Sequence, residues 1–110
     1  MKLSHRTHGT VDILELSGRF DAYEVPPMTE WFDERPNVKH LVVNLSGVTF
    51  VDSSGLSALV RGMKHCRQND GDLVICNAQQ AVSIIFELTR LDKAFTMYDD
   101  EESALQGFDA

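Results

Sequence analysis

The run Leu41-Val42-Val43-Asn44-Leu45-Ser46-Gly47-Val48-Thr49-Phe50-Val51-Asp52-Ser53-Ser54-Gly55-Leu56 decides how this 110-residue chain folds. Its first five residues are apolar except Asn44, with two adjacent valines. A strand of that kind has no polar face to give to water. It belongs in the middle of a sheet covered on both sides, the usual setting of parallel strands. Residues 48–51 then lead to Asp52-Ser53-Ser54-Gly55. Beyond them Leu56, Leu59, Val60 and Met63 recur at i, i+3, i+4 and i+7, the apolar face of a helix. A strand feeding such a helix implies a right-handed crossover to a parallel neighbour.

The same alternation continues in both directions. Upstream, Val11, Ile13, Leu14 and Leu16 precede Ser17-Gly18 and read as a strand paired with residues 3–7 through a turn at His8-Gly9-Thr10. Asp21-Ala22-Tyr23-Glu24-Val25-Pro26-Pro27 opens a helix, since proline is tolerated in a first turn whose N–H groups have no partner. Val25, Met28, Trp31 and Phe32 share one face of it, and Arg35-Pro36-Asn37 ends it. Downstream, Asn69-Asp70-Gly71-Asp72 breaks the central helix ahead of an apolar strand, Leu73-Val74-Ile75-Cys76. Asn77 is expected to cap the next helix, with Gln80 in capping-box register and Ala78, Ala81, Val82, Ile85 and Phe86 as its stripe. Phe95-Thr96-Met97-Tyr98 reads as a short last strand. Asp99 or Asp100 then caps a helix whose first turn holds Glu101 and Glu102 and whose apolar side is Ala104, Leu105 and Phe108. The pattern predicts one α/β domain over residues 1–110: a mixed, mainly parallel sheet with an N-terminal hairpin and about four helices.

Composition bounds the function. Ten Lys+Arg against seventeen Asp+Glu give a formal net charge of -7, with no basic cluster. Nucleic acids are held by clustered cations, so neither DNA nor RNA is an expected partner. The N-terminus, Met1-Lys2-Leu3-Ser4-His5-Arg6, lacks the apolar core of a secretion signal, and no apolar run reaches the ~20 residues that cross a bilayer. No membrane partner and a cytoplasmic location are expected. Cys66 and Cys76 sit in apolar periodic segments, which predicts reduced, buried thiols. With no secretion signal, the Asn44-Leu45-Ser46 acceptor sequence is read as accidental. A monomer or weak dimer is expected.

The segment with chemical potential is Asp52-Ser53-Ser54-Gly55. In open α/β sheets, function gathers where strands end and helices begin. Asp52 or Ser53 can cap the helix, and the N–H groups of its first turn, with the helix dipole, are expected to form a site that tolerates an anion. A phosphate on Ser54 or Ser53 would add roughly -1.5 to -2 charges there without opening the helix. Gly55, lacking a side chain, is expected to let a partner approach closely. The same tetrapeptide also reads simply as a well-capped helix start.

Catalytic readings fail on spacing. A hydrolase nucleophile elbow needs glycine two residues before the serine, where Ser53 has Val51 and Ser54 has Asp52. There is no Gly-Lys-Ser/Thr for a nucleotide phosphate loop. His5, His8 and His40 lie near segment ends and His65 lies on a helix, without metal-ligand spacing, so surface roles are expected. A phosphoaspartate receiver domain has similar length and alternation. It needs an acidic cluster after its first strand and a lysine after its last, where this chain has Ser17-Gly18-Arg19 and Asp99-Asp100. No enzyme activity and no cofactor are expected.

In order and spacing, Leu16-Ser17-Gly18-Arg19-Phe20-Asp21, the run from Leu41 to Leu56, Asp70-Gly71-Asp72-Leu73-Val74-Ile75-Cys76-Asn77 and Phe86-Glu87-Leu88-Thr89-Arg90-Leu91-Asp92 resemble the STAS domain (sulfate transporter and anti-sigma factor antagonist), and most closely the free-standing bacterial anti-sigma factor antagonists. The resemblance implies that a serine-kinase anti-sigma factor phosphorylates the second serine of Asp-Ser-Ser-Gly, here Ser54. It implies that the unphosphorylated form binds that kinase and frees a sigma factor, and that a serine phosphatase resets the switch. It also implies a partner-contacting surface of Asp21, Asp52, Ser53, Ser54, Gly55 and Leu56. Other users of this fold serve in stress-sensing assemblies or lipid-transport complexes, an alternative role here. Two departures stand out: Asn44 occupies a position where the family usually has aspartate, and Ala22-Tyr23-Glu24-Val25-Pro26-Pro27 replaces the commoner small, threonine-containing helix start. Asp21 also reads as a plain helix cap.

Overall fold

A computed structural model describes residues 1–108. Its five strands are β1 (Lys2–His8), β2 (Val11–Phe20), β3 (His40–Val51), β4 (Asp72–Cys76) and β5 (Met97–Tyr98). They lie side by side in the order β1-β2-β3-β4-β5. Only the β1–β2 hairpin is antiparallel, and the other three pairings are parallel, as the crossover argument requires. The helices are α1 (Pro26–Asp33), α2 (Ser53–Gln68), α3 (Gln80–Leu88) and α4 (Glu101–Gln106), with a 3-10 turn at Leu91–Lys93.

The apolar run of β3 does what its composition demands. Successive strand residues point to opposite faces. Leu41, Val43 and Leu45 therefore join Leu14, Leu16, Leu73 and Ile75 in the larger core, beneath Met28 and Trp31 of α1, Leu59 and Met63 of α2, and Val82 and Phe86 of α3. Val42 joins Val11, Ile13, Val74 and Cys76 on the other face, closed by Ala104 of α4 with Tyr98, Leu105 and Phe108. Full burial of each such aliphatic side chain contributes roughly 1.5–3 kcal/mol, so two covered faces make β3 the strand on which both layers rest. Cys66 lies in the larger core and Cys76 in the smaller, both as free thiols. Burial pushes each thiol up to about 12, leaving it protonated at neutral pH.

Several boundaries differ from expectation. Strands β2 and β3 run well past Leu16 and Leu45, through Ser17-Gly18 and Ser46-Gly47. Glu15 faces Asn44 and Ser17 faces Gly47, two steps on β2 against three on β3, and a second shift follows between Gly18 and Arg19. Such bulges let a strand continue through polar residues that resemble a loop in sequence. Asn77 does not cap α3. It takes a left-handed conformation (φ 58°), and the N-cap is Gln79, whose side-chain Nε2 donates instead to the Ser46 carbonyl at 2.7 Å. Asp21 does not cap α1 either, because Val25 occupies that position. The last strand covers Met97–Tyr98 only. His40 is half-buried against the Phe108 ring instead of lying at the surface. Asp100 caps α4 as expected, its carboxylate accepting from the Ser103 N–H at 2.7 Å.

Asn44, the buried polar residue of β3, explains itself through its neighbours. Its Oδ1 accepts from the Ser46 N–H at 2.9 Å, within the first bulge, and its Nδ2 donates to Glu101 of α4 at 3.2 Å. Arg6 of β1 grips the same carboxylate with two nitrogens, at 2.7 and 3.2 Å. These bonds clasp α4 to the sheet. The Arg6 hydrogen bond holds the Glu101 carboxyl below its ordinary value of 4.5. Glu101 therefore stabilises the fold above that value, and the contribution is lost as pH falls through the lowered folded one. An aspartate at 44 could not donate to Glu101 and would set a second carboxylate against it. Asn44→Asp is expected to cost about 1–3 kcal/mol at pH 7. In urea unfolding the deficit shrinks as pH falls into the carboxylate range, where an aspartate buried beside Glu101 takes up a proton and donates again. A deficit that does not change between pH 7 and pH 4 would contradict the Glu101 contact.

Candidate functional site

Where β2 and β3 end together, Phe20 lies opposite Val51, and the Asp52 N–H donates to the Phe20 carbonyl at 3.3 Å. Asp52 is extended (φ -112°, ψ -174°), as an N-cap residue must be, and turns the chain into α2. Its Oδ1 accepts from the N–H groups of Ser54 at 2.9 Å and Gly55 at 3.1 Å, while its carbonyl accepts from Leu56 at 3.0 Å. The cap assigned from sequence is therefore in place. It occupies two of the first-turn amides that were expected to stand open for an anion.

Gly55 has a different reason from the one expected. It is buried, and a Cβ built on it would lie 2.4 Å from the Phe20 carbonyl oxygen and 2.8 Å from a Val51 methyl. The missing side chain faces inward, allowing α2 to seat against the end of β2. It opens no path for a partner. Leu56 is likewise buried, 7% exposed, and the face of α2 that it begins continues through Ala58, Leu59, Gly62, Met63 and Cys66.

The serines point the other way. Ser53 and Ser57 are exposed and Ser54 is half-buried. All three border a shallow depression of about 380 Å³, completed by Ala22, Val25 and Arg61. A second depression, about 410 Å³ and more apolar, adjoins it along α2 between Leu56, Val60 and Leu91. The far wall of the first is the turn between β2 and α1. There Asp21 works as a turn residue: its Oδ1 accepts from the Tyr23 N–H at 3.1 Å, and its carbonyl accepts from Glu24 and Val25 at 3.0 and 3.1 Å. Its other carboxylate oxygen meets Arg19 at 3.4 Å, and the Arg19 guanidinium lies 4.1 Å above the half-exposed Phe50 ring. The turn thrusts Tyr23 into solvent, 90% exposed.

The fold thus brings Asp21, Asp52, Ser53 and Ser54 to one end of the sheet, with Gly55 and Leu56 beneath as the packed base. Sequence reasoning did not single out Arg61, Tyr23 or the Arg19–Phe50 pair. For Arg61 a signal existed: it stands seven residues after Ser54 and four after Ser57, spacings that share one helical face. For Tyr23 there was none, since its exposure comes from a tertiary turn. Among the described residues, no group of three or more His, Cys, Asp or Glu could hold a metal ion, and no helix is long and apolar enough to cross a membrane.

A family model for the STAS domain matches residues 2–104. The anti-sigma F factor antagonist of Paenibacillus polymyxa is 29% identical over 108 residues, which cover 96% of this chain and 92% of that protein. Among solved structures, an anti-sigma factor antagonist from Mycobacterium paratuberculosis superposes with a TM-score of 0.85 at 25% identity, covering 96% of this chain and 92% of that one. The anti-sigma factor antagonist SpoIIAA matches in its unphosphorylated form (TM-score 0.76, 18% identity, 99% of both chains). It also matches in its phosphorylated form (0.74, 16%, 96% of this chain and 98% of that one).

Gly55→Ala weighs two opposed effects. Alanine gains up to about 1 kcal/mol in helix propensity, whereas forcing a methyl against backbone costs typically 1–3 kcal/mol. Because the obstacle is a carbonyl oxygen that itself accepts from Asp52, the clash is expected to win. Thermal unfolding of Gly55→Ala should show net destabilisation. A stabilised variant would mean that the α2–Phe20 contact is looser than described.

Proposed function

The chain belongs to the STAS domain family, and we propose that it is an anti-sigma factor antagonist switched by phosphorylation of Ser54. In this reading the unphosphorylated chain binds a serine-kinase anti-sigma factor in the cytoplasm, so that the sigma factor is released. The observation that carries it is the position of Ser54. It is the second serine of Asp-Ser-Ser-Gly, on the first turn of α2 and at the edge of an open depression rather than in the core. The named roles of the relatives and the two phosphorylation forms of SpoIIAA support the same reading.

The chemistry asked of this chain is modest. The Ser54 Oγ attacks the terminal phosphorus of a nucleoside triphosphate held by the kinase. The Oγ–P bond forms as the bond to the diphosphate leaving group breaks, and the hydroxyl proton passes to a base on the kinase. A serine phosphatase hydrolyses the ester, water supplying the oxygen of the released phosphate. The chain itself is a substrate and a binding partner, not a catalyst.

The switch is electrostatic. Phosphorylation adds roughly -1.5 to -2 charges beside the Asp52 carboxylate, at the centre of the surface formed by the β2–α1 turn and α2. A group of that charge, desolvated in an interface, readily weakens binding by ~3 kcal/mol, more than a hundredfold in affinity. Asp21 shapes the turn and contributes to the same surface, as do Asp52 and Ser53. The covalent change leaves the fold intact, because the serine oxygen lies outside both cores.

The test is phosphoryl transfer from a serine-kinase anti-sigma factor of the source genome. One phosphate per chain is expected, lost in Ser54→Ala and retained in Ser53→Ala. Labelling lost only in Ser53→Ala would move the acceptor by one residue, and a chain that no such kinase labels or binds would overturn the function. Ser54→Asp is expected to fold normally and to bind the kinase at least tenfold more weakly by calorimetry, about 1.4 kcal/mol. Undiminished affinity would count against electrostatic release.

A further inference from the structure

Three of the amides that an incoming phosphate would ordinarily use at a helix N-terminus are already occupied. Ser54 and Gly55 both donate to Asp52, and Leu56 donates to its carbonyl. A dianion on Ser54 therefore arrives beside a carboxylate, with the N–H groups of Ser54, Gly55 and Leu56 engaged, and a counter-charge from elsewhere would stabilise it. Two cations held near this end of the sheet are engaged too. Arg19 meets Asp21 at 3.4 Å, and the N-terminal ammonium is paired with Glu24.

Arg61 is different. It lines the same depression as Ser53, Ser54 and Ser57, and among the described residues no carboxylate lies within 4.0 Å of it. Arg61 also borders a depression shared with Asp33 of α1, whose carboxylate lies beyond 4.0 Å. Long side chains on helices lean toward the N-terminus, which lets a guanidinium two turns after Ser54 reach back along the face that carries the serine. The remaining groups at the border of the depression beside the serines, Ala22 and Val25 from the β2–α1 turn, bring no charge to compete.

We propose that Arg61 is the internal counter-ion of the phosphate on Ser54, folding back over Ser57 to form a charge-assisted pair within the chain. The inference rests on phosphorylation of Ser54 and adds what becomes of the modified group. The phosphorylated chain holds its new charge in a defined place against α2, set between Asp52 on one side and Arg61 on the other. Guanidinium and phosphate match in planar, two-point geometry, which an ammonium does not reproduce.

The pairing is measurable as a titration. Phosphoserine is placed at position 54 during translation by an orthogonal synthetase–tRNA pair, in the full chain and in the same chain carrying Arg61→Gln. The second phosphate ionisation is then followed by phosphorus NMR at low salt. A nearby cation favours the dianion and the Asp52 carboxylate opposes it equally in both chains, so the phosphate is expected to titrate lower with Arg61 present than without it. Arg61→Gln is expected to raise it by about half a unit or more. Arg61 is exposed, and circular dichroism verifies that the variant folds. Superimposable titrations of the two chains, or a lower value in Arg61→Gln, would overturn the pairing. Because the phosphoserine is built in, this result is independent of any kinase. Failure of kinase labelling would remove the proposed function and leave the titration standing, and the converse holds equally.

Discussion

The carbonyl of Phe20 is the point on which the functional end of the molecule turns. It closes β2 against β3 by accepting from Asp52, and it forms the floor on which Gly55 seats. One backbone oxygen thus fixes where α2 begins relative to the sheet. With α2 fixed there, its apolar face meets Leu41, Val43 and Ile75, and the opposite face carries Ser53, Ser54, Ser57 and Arg61 to the surface. The tetrapeptide between strand and helix divides its work cleanly. Aspartate caps, glycine packs, and the serines between them are left with hydroxyls that neither task consumes.

The other face of the sheet is governed by polar specificity more than by area. α4 is barely two turns long and buries Ala104 fully, with Leu105 and Phe108 only in part. A helix that short has little intrinsic stability. It stays because Glu101 joins Arg6 of the first strand to Asn44 of the central one. This places an edge strand, a middle strand and the last helix in one hydrogen-bonded unit, far along the sequence from one another. Asparagine rather than aspartate at position 44 is then a local necessity, since the neighbour across the gap is already an acid.

Most of this architecture could be read before any coordinates. The Leu41–Leu45 run announced two covered faces, the stripe from Leu56 to Met63 marked α2, and each of the caps Asp52 and Asp100 was one of two adjacent candidates. All three depend on period or on local chemistry, which a sequence displays directly. What was hidden depends on partners distant in sequence. Ser46-Gly47 and Thr49-Phe50 looked like a link because bulges, not alternating pairs, carry β3 onward. Asn77 has the chemistry of both a cap and a left-handed turn residue, and the competition is settled by where β4 delivers the chain. The direction of Gly55 was invisible for the same reason. An absent side chain does not say which side it is absent from, and only Phe20 answers.

The two thiols lie on opposite faces of one sheet, each sealed in its own core. Neither can reach the other, and neither ionises while its layer remains closed. Each therefore reports on a separate event. A reagent that consumes Cys66 counts openings of the three-helix side, and one that consumes Cys76 counts detachments of the short terminal helix. Global unfolding exposes both thiols together, so a difference between their rates isolates local opening of one layer, with no label added.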